Sequence, residues 1–194
     1  MPKPPLKALL IDSRDDRAAM VRHGLSAFGE AELTVIDHLE AIPDATTRIT
    51  PDVVILTCRS PGPDLLESLR RVARNHPVVM FVEDGTPELA RRAVECGVSA
   101  YVVAGLAAER VCPVVEVAMQ RFRLFHTLKA ELEKTRSDLA ARKTIERAKG
   151  LLMQERQLSE DAAYGLLRRF AMNEGRSIPE VAESLLSAAR LLKK

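Results

Sequence analysis

Pro51-Asp52-Val53-Val54-Ile55-Leu56, followed by the turn Ser60-Pro61-Gly62-Pro63 and then by Leu65, Leu66 and Leu69, decides the fold of the first half of this chain. A short continuous apolar run closed by a proline- and glycine-rich turn reads as a strand buried on both faces, and the leucine spacing after it is that of a helix face. The same strand, loop and helix unit recurs on either side. Upstream, Leu6 to Ile11 ends at Asp12, and polar Ser13 to Asp16 leads into a helical pattern through Ala19, Met20, His23 and Leu25; Leu33 to Ile36 predicts a second strand. Downstream, Val78 to Val82 is the next strand, and Thr86-Pro87-Glu88 predicts an N-cap with proline at the first helical position. The helix it opens runs through Leu89, Ala93 and Val94 and stops at Gly97, before a fifth strand over Tyr101 to Val103. Five short strands separated by helices within about 110 residues predict a doubly wound five-stranded parallel sheet. Its functional edge is formed by the strand C-termini, here Asp12, Thr57, Val82 and Ala104.

From Pro113 the chain runs without a helix breaker to about Gln154, which predicts a helix of about 60 Å at 1.5 Å per residue. Phe125, Leu128, Leu132, Thr135 and Leu139 fall in an a/d heptad register among charged residues, the pattern of a parallel two-stranded coiled coil and hence of a homodimer. The stripe is short and interrupted at Thr135, so packing against the chain's own first domain is the alternative. Beyond it, Ile145, Ala148 and Leu152 share one helix face, with Arg142 and Lys149 on its shoulder. Gly150 inside this helix predicts close approach of another backbone. Ser159 is expected to cap a helix carrying Ala163, Leu166, Leu167 and Phe170, and Ser177-Ile178-Pro179-Glu180 has the capping-box spacing before Val181, Ala182, Leu185 and Leu186. Three amphipathic helices then form a bundle. The domains expected are residues 1–112, a connecting helix over 113–141 and the bundle over 142–194.

The 194 residues carry a net charge of only +2. That balance hides a division: residues 1–112 hold 13 Lys and Arg against 16 Asp and Glu (−3), and residues 113–194 hold 16 against 11 (+5). The second half suits a polyanion. Arg168 and Arg169 point away from their helix's apolar face, and with Arg142, Lys149 and Arg176 they make a candidate patch for phosphates, against the bland alternative of a solvated charged face. Cys58, Cys96 and Cys112 fit neither a disulfide framework nor a zinc site, which suits a reducing cytoplasm. No apolar run approaches the about 20 residues that span a bilayer, and no signal-length apolar segment opens the sequence. The four histidines never pair at ligand spacing, and no phosphate loop or nucleophile elbow is present, so no metal, cofactor or catalytic residue is expected.

Residues 6 to about 112 resemble response-regulator receiver domains. The resemblance is carried by Pro51 to Leu56, the Pro61-Gly62 turn and Gly97-Val98-Ser99-Ala100-Tyr101-Val102-Val103. It implies an acidic pair after strand one, an acceptor aspartate ending strand three, a hydroxyl residue ending strand four and a lysine ending strand five. This chain has Asp12 with Ser13, then Thr57, Val82 and Ala104. The acidic pair and acceptor together hold the magnesium that neutralises phosphoryl oxygens, and the lysine contacts the acyl phosphate. Thr57 is not that nucleophile, Val82 donates no hydrogen bond and Ala104 carries no charge. Asp15 and Asp16 are read as caps of the first helix rather than as metal ligands. The resemblance thus points to a pseudo-receiver, a phosphorylation-independent interaction surface.

Ile145-Glu146-Arg147-Ala148-Lys149-Gly150-Leu151-Leu152-Met153, with Ala162-Ala163-Tyr164, Leu167-Arg168-Arg169, Ala171-Met172, Ile178 and Val181-Ala182, resembles the ANTAR module of transcription antiterminators over residues 135 to 190. The order of domains is similar to that of the antiterminators of amidase and nitrate-assimilation operons. Pro61-Gly62, Val98-Ser99-Ala100-Tyr101 and Ala118-Met119 are most like the nitrate-assimilation group. Membership implies binding to hairpins in leader mRNA that blocks terminator formation, and control by a ligand-sensing protein that sequesters the regulator. The expectation is a cytoplasmic, homodimeric, non-catalytic RNA-binding antiterminator. The alternatives are a phosphorylation-controlled two-component response regulator with DNA-binding output, and a dimerisation scaffold.

Overall fold

The computed structural model describes residues 4–192, without the side chains of Leu39, Leu191 and Leu192. The chain divides into two compact units, Met1–His126 and Thr127–Lys194. The first contains strands β1 (Leu6–Ile11), β2 (Ala31–Ile36), β3 (Val53–Cys58), β4 (Val78–Val82) and β5 (Ala100–Val102). Between them run α1 (Asp15–Leu25), α2 (Ile42–Ile49), α3 (Pro63–Val72) and α4 (Pro87–Glu95). The strands form one sheet in the order β2-β1-β3-β4-β5, every neighbouring pair parallel. The doubly wound sheet read from the sequence is therefore present.

Because both faces are covered, the central strands are apolar in continuous runs, Ala8 to Ile11, Val53 to Leu56 and Val78 to Val82, rather than at alternate positions. Leu9, Val54, Leu56, Met80 and Val82 face one core with Ile42, Leu66, Leu69 and Ala93 from α2, α3 and α4. Ala8, Leu10, Val53, Ile55, Val79 and Phe81 face the other, with Ala18, Val21 and Leu25 of α1. That second core is completed by Val111, Val115, Ala118 and Met119 from the start of α5 (Ala108–Arg156). Gly24 lets α1 and α5 approach closely: a Cβ there would stand 2.5 Å from both the Ala108 carbonyl oxygen and the Val111 Cβ.

The long helix begins five residues before the expected start, so Pro113 lies inside it and removes one backbone hydrogen bond. The expected boundary between residues 112 and 113 falls within this helix. Thr86 caps α4 as expected, its hydroxyl accepting from the Leu89 N–H. Asp15 and Asp16 do not cap α1: they are its first two residues, the N-cap is Arg14, and no side chain caps it.

In the second unit, the end of α5 packs with α6 (Glu160–Glu174) and α7 (Ile178–Leu192). Ala148, Leu152, Ala163, Leu167, Ala171, Val181 and Ala182 form the core. The Ser159 hydroxyl accepts from the Ala162 N–H at the start of α6. Before α7, the Ser177 N–H donates to Glu180 and the Glu180 N–H to the Ser177 hydroxyl, closing the capping box. Gln157, with φ of 52°, and Gly175, with φ of 63°, take the left-handed conformation that ends α5 and α6. The close approach expected at Gly150 is not made among the described residues, since a Cβ there meets nothing within 4 Å.

Candidate nucleic-acid interface and sheet-edge site

The face of α6 opposite its buried Ala163, Leu167 and Ala171 carries Gly165, Arg168, Arg169 and Met172 at i, i+3, i+4 and i+7. With Arg156, Leu158, Ala162 and Leu166 they line an open groove of about 650 Å³. Its rim has three guanidinium groups, and its floor is widened at Gly165, where a Cβ would meet nothing within 4 Å. Planar, permanently charged guanidinium groups around a partly apolar floor match the needs of a nucleic acid, which presents phosphates and stacking bases together. Next to it, sharing Arg156 and Leu166, a second, more apolar groove of about 570 Å³ is bordered by Leu151, Leu152, Phe170, Val181 and Leu185.

The five basic residues singled out in the sequence do not share one environment. Arg168 and Arg169 are exposed on the groove, and Arg142 is exposed on α5 away from its lining. Lys149 is buried at 8% exposure. Its ammonium donates to Glu160 at 2.5 Å and to both carboxylate oxygens of Glu146 at 2.9 and 3.0 Å. The hydrogen bond with Glu160, then that with Glu146, holds the Lys149 pKa above its ordinary value. Glu160 is lowered by the same contact. Lys149 therefore ties α5 to α6. Arg176 is likewise engaged, donating to Glu174 at 3.0 Å, to the Glu180 carbonyl at 3.1 Å and to the Ser184 hydroxyl at 2.7 Å. Arg156 was missed by the sequence reading because it falls where the helical pattern breaks.

At the sheet edge, Asp12 and Thr57 are both buried at 7% exposure. The Thr57 hydroxyl donates to Asp12 Oδ2, and the Arg14 N–H donates to Asp12 Oδ1 at 2.9 Å. Arg17 reaches in from the first turn of α1. One of its nitrogens donates to Asp12 Oδ2 at 3.4 Å and another to the carboxylate of Glu83, just after β4. Ser13 is exposed, Val82 is fully buried in the sheet, and Ala104 is exposed in a loop with φ of 71°. That loop is held by Arg110, which donates to the carbonyls of Val103, Ala104 and Gly105. Cys58 is half-buried, and burial pushes its thiol up to about 11, so it stays protonated at neutral pH. Neither Arg17 nor Glu83 was singled out in the sequence. The available signal was a cation in the first turn of a helix, the end that disfavours one.

Phe125, Leu128, Leu132 and Leu139 are all about half exposed or more along α5, and the hydroxyl of Thr135 between them donates to the Glu131 carbonyl at 2.9 Å. Among the described residues no helix is long and apolar enough to cross a membrane.

Residues 133–186 match the ANTAR domain. The chain is 32% identical over 176 residues to the transcriptional regulatory protein PdtaR of Mycobacterium tuberculosis, covering 89% of this chain and 83% of that protein. Among solved structures, the signal receiver domain of a modulated diguanylate cyclase from Desulfovibrio desulfuricans G20 superposes with a TM-score of 0.52 at 23% identity. That likeness covers 62% of this chain and 98% of the receiver domain. NtrX from Brucella abortus superposes with a TM-score of 0.55 at 25% identity, over 75% of this chain and 35% of that one. A receiver fold followed by an ANTAR domain, with the PdtaR likeness running through both, means that the chain belongs to the family of ANTAR-domain transcriptional regulatory proteins that includes PdtaR.

Proposed function

We propose that this chain is a cytoplasmic RNA-binding antitermination regulator that binds hairpins in leader mRNA through its C-terminal bundle and prevents terminator formation. The observation that carries this reading is the groove rimmed by Arg156, Arg168 and Arg169 inside the residues that match the ANTAR domain. In it, Arg168 and Arg169 make the primary RNA contacts and Arg142 adds to the basic face. Lys149 and Arg176 hold the bundle in shape behind them. Residues 1–112, with the buried start of α5, act as a pseudo-receiver, the exposed part of residues 113–141 as a coiled coil that makes a homodimer, and residues 142–194 as the RNA-binding module. The sequence features shared with nitrate-assimilation antiterminators support control of nitrate or nitrite assimilation or a similar catabolic operon. A ligand-sensing protein that sequesters the regulator is the proposed source of control. The protein has no catalytic role in this reading.

Crosslinking the protein to cellular RNA and sequencing what is recovered tests the class, with leader hairpins as the expected product. Recovery of duplex DNA sites instead would overturn it. The face is tested by changing Arg168 and Arg169 together to Glu. Affinity for the recovered hairpin is expected to fall at least about tenfold, and the dependence of log affinity on log salt to flatten by about 0.7 to 0.9 for each phosphate no longer neutralised. Unchanged affinity in this variant would remove the groove from the interface.

A further inference from the structure

We propose that the guanidinium of Arg17 is the built-in cation of the sheet-edge cluster, standing between Asp12 and Glu83 where the receiver fold would place a divalent metal ion. The inference rests on the pseudo-receiver reading and adds to it the residue that keeps the site closed. Receiver chemistry requires hard oxygen ligands converging on one point. Here the converging groups are two carboxylates, Asp12 and Glu83, with a hydroxyl from Thr57, and a guanidinium already bridges the carboxylates. The residues do not fit the metal.

Three observations make Arg17 more than a surface ion pair. Its side chain is only 13% exposed, and that of Asp12 only 3%. It sits in the first turn of α1, behind Asp15 and Asp16, where the helix dipole disfavours a cation, so a specific partner must hold it there. Both acceptor oxygens of Asp12 are also engaged by donors: the Arg14 N–H on Oδ1, and the Thr57 hydroxyl with Arg17 on Oδ2. A buried carboxylate needs such compensation, and here the protein supplies the positive charge itself. A divalent ion entering the cluster would meet a like charge and would have to strip both carboxylates from Arg17. Loss of the acceptor at Thr57 is therefore only half of the change. Restoring a carboxylate there would give Arg17 a further partner without making a metal site.

The experiment uses the full chain, with Mn²⁺ as the probe, followed by calorimetry and by water-proton relaxation. Wild type, Thr57→Asp, Arg17→Gln/Thr57→Asp and Arg17→Lys/Thr57→Asp are compared. The expected result is that the Gln double variant binds one Mn²⁺ per chain at least about tenfold more tightly than Thr57→Asp alone, since a like charge has been removed from the site. The Lys double variant, which keeps the charge, is expected to bind as weakly as the single variant. Equal Mn²⁺ affinity in Thr57→Asp and in the Gln double variant would overturn the proposal, and so would tight single-site binding by the wild type. If circular dichroism shows that Arg17→Gln does not fold, Arg17→Met/Thr57→Asp, which retains an apolar stem against α1, makes the same comparison. The two readings fail separately. A stable aspartyl phosphate on the wild-type chain sinks the pseudo-receiver, whereas equal Mn²⁺ binding with no such phosphate sinks only the role of Arg17.

Discussion

Lys149 lies on the part of α5 that packs in the bundle, and two carboxylates close over its ammonium. A phosphate-contacting lysine needs its donors free; this one has them spent on Glu146 and Glu160. The consequence is a contribution to stability with a defined pH window. Glu160 is held below its ordinary value of 4.5, so its contribution is present above that pH and is lost as pH falls through the depressed value. Lys149 is held above its ordinary 10.5, so its contribution is complete below that pH and is lost only as pH rises through the raised value. Glu160→Gln is therefore expected to lower the melting temperature of the bundle by a few degrees at pH 7, and the difference from wild type should shrink as pH falls below 4.5. Melting curves by circular dichroism read this directly. A difference that did not shrink on acidification would mean that the tie is packing and not charge.

At the scale of elements, α5 changes character along its length. Val111, Val115, Ala118 and Met119 are buried against the sheet, whereas every residue from 127 to 140 is exposed. A helix gains most of its stability in a protein by burying an apolar face. Phe125, Leu128, Leu132 and Leu139 have no such cover among the described residues, which supports the proposed parallel dimer. Burying one leucine side chain is worth about 1.5 to 3 kcal/mol. Leu132→Asp together with Leu139→Asp removes four such side chains from a dimer and is expected to give a monomer by light scattering at micromolar concentration. RNA binding should weaken in parallel, because two linked modules reach two hairpins by effective concentration rather than by new contacts. A variant that stayed dimeric would move the interface elsewhere.

For the whole molecule, the division of charge into −3 and +5 matches the division of labour proposed for the two halves. A sheet edge with Thr57 for the acceptor, Val82 and Ala104 for the groups that read the phosphate, and Arg17 across the carboxylates supports the proposal that no aspartyl phosphate forms here. Wild-type protein offered a small phosphodonor with magnesium is expected to incorporate no phosphate and to keep its RNA affinity. Incorporation with altered RNA affinity would show that Asp12, Asp15 or Asp16 accepts the group. On that proposal, regulation acts through assembly or a bound partner.

How much of this was legible in the residues follows from the range of the interactions involved. Local patterns sufficed for the sheet, because Val53 to Leu56 and Val78 to Val82 are apolar at every position, and for the caps at Thr86, Ser159 and Ser177, whose partners lie three residues away. They also sufficed for the exposed stripe on α5. The missing receiver groups could be read one position at a time. What stood in their place could not: Arg17 and Glu83 are 66 residues apart, and only the parallel sheet, which sets the ends of β1 and β4 on one edge, brings their charges together. Lys149 shows the same limit. Its i,i+3 partner Glu146 is visible in the sequence, but Glu160 joins it only when α6 folds back on α5, turning a basic residue of a recognised motif into an internal tie. Side-chain identity and spacing determine elements because the forces involved act within a turn or a strand. The environment of a charge depends on which distant segments enclose it, and tertiary structure alone decides that.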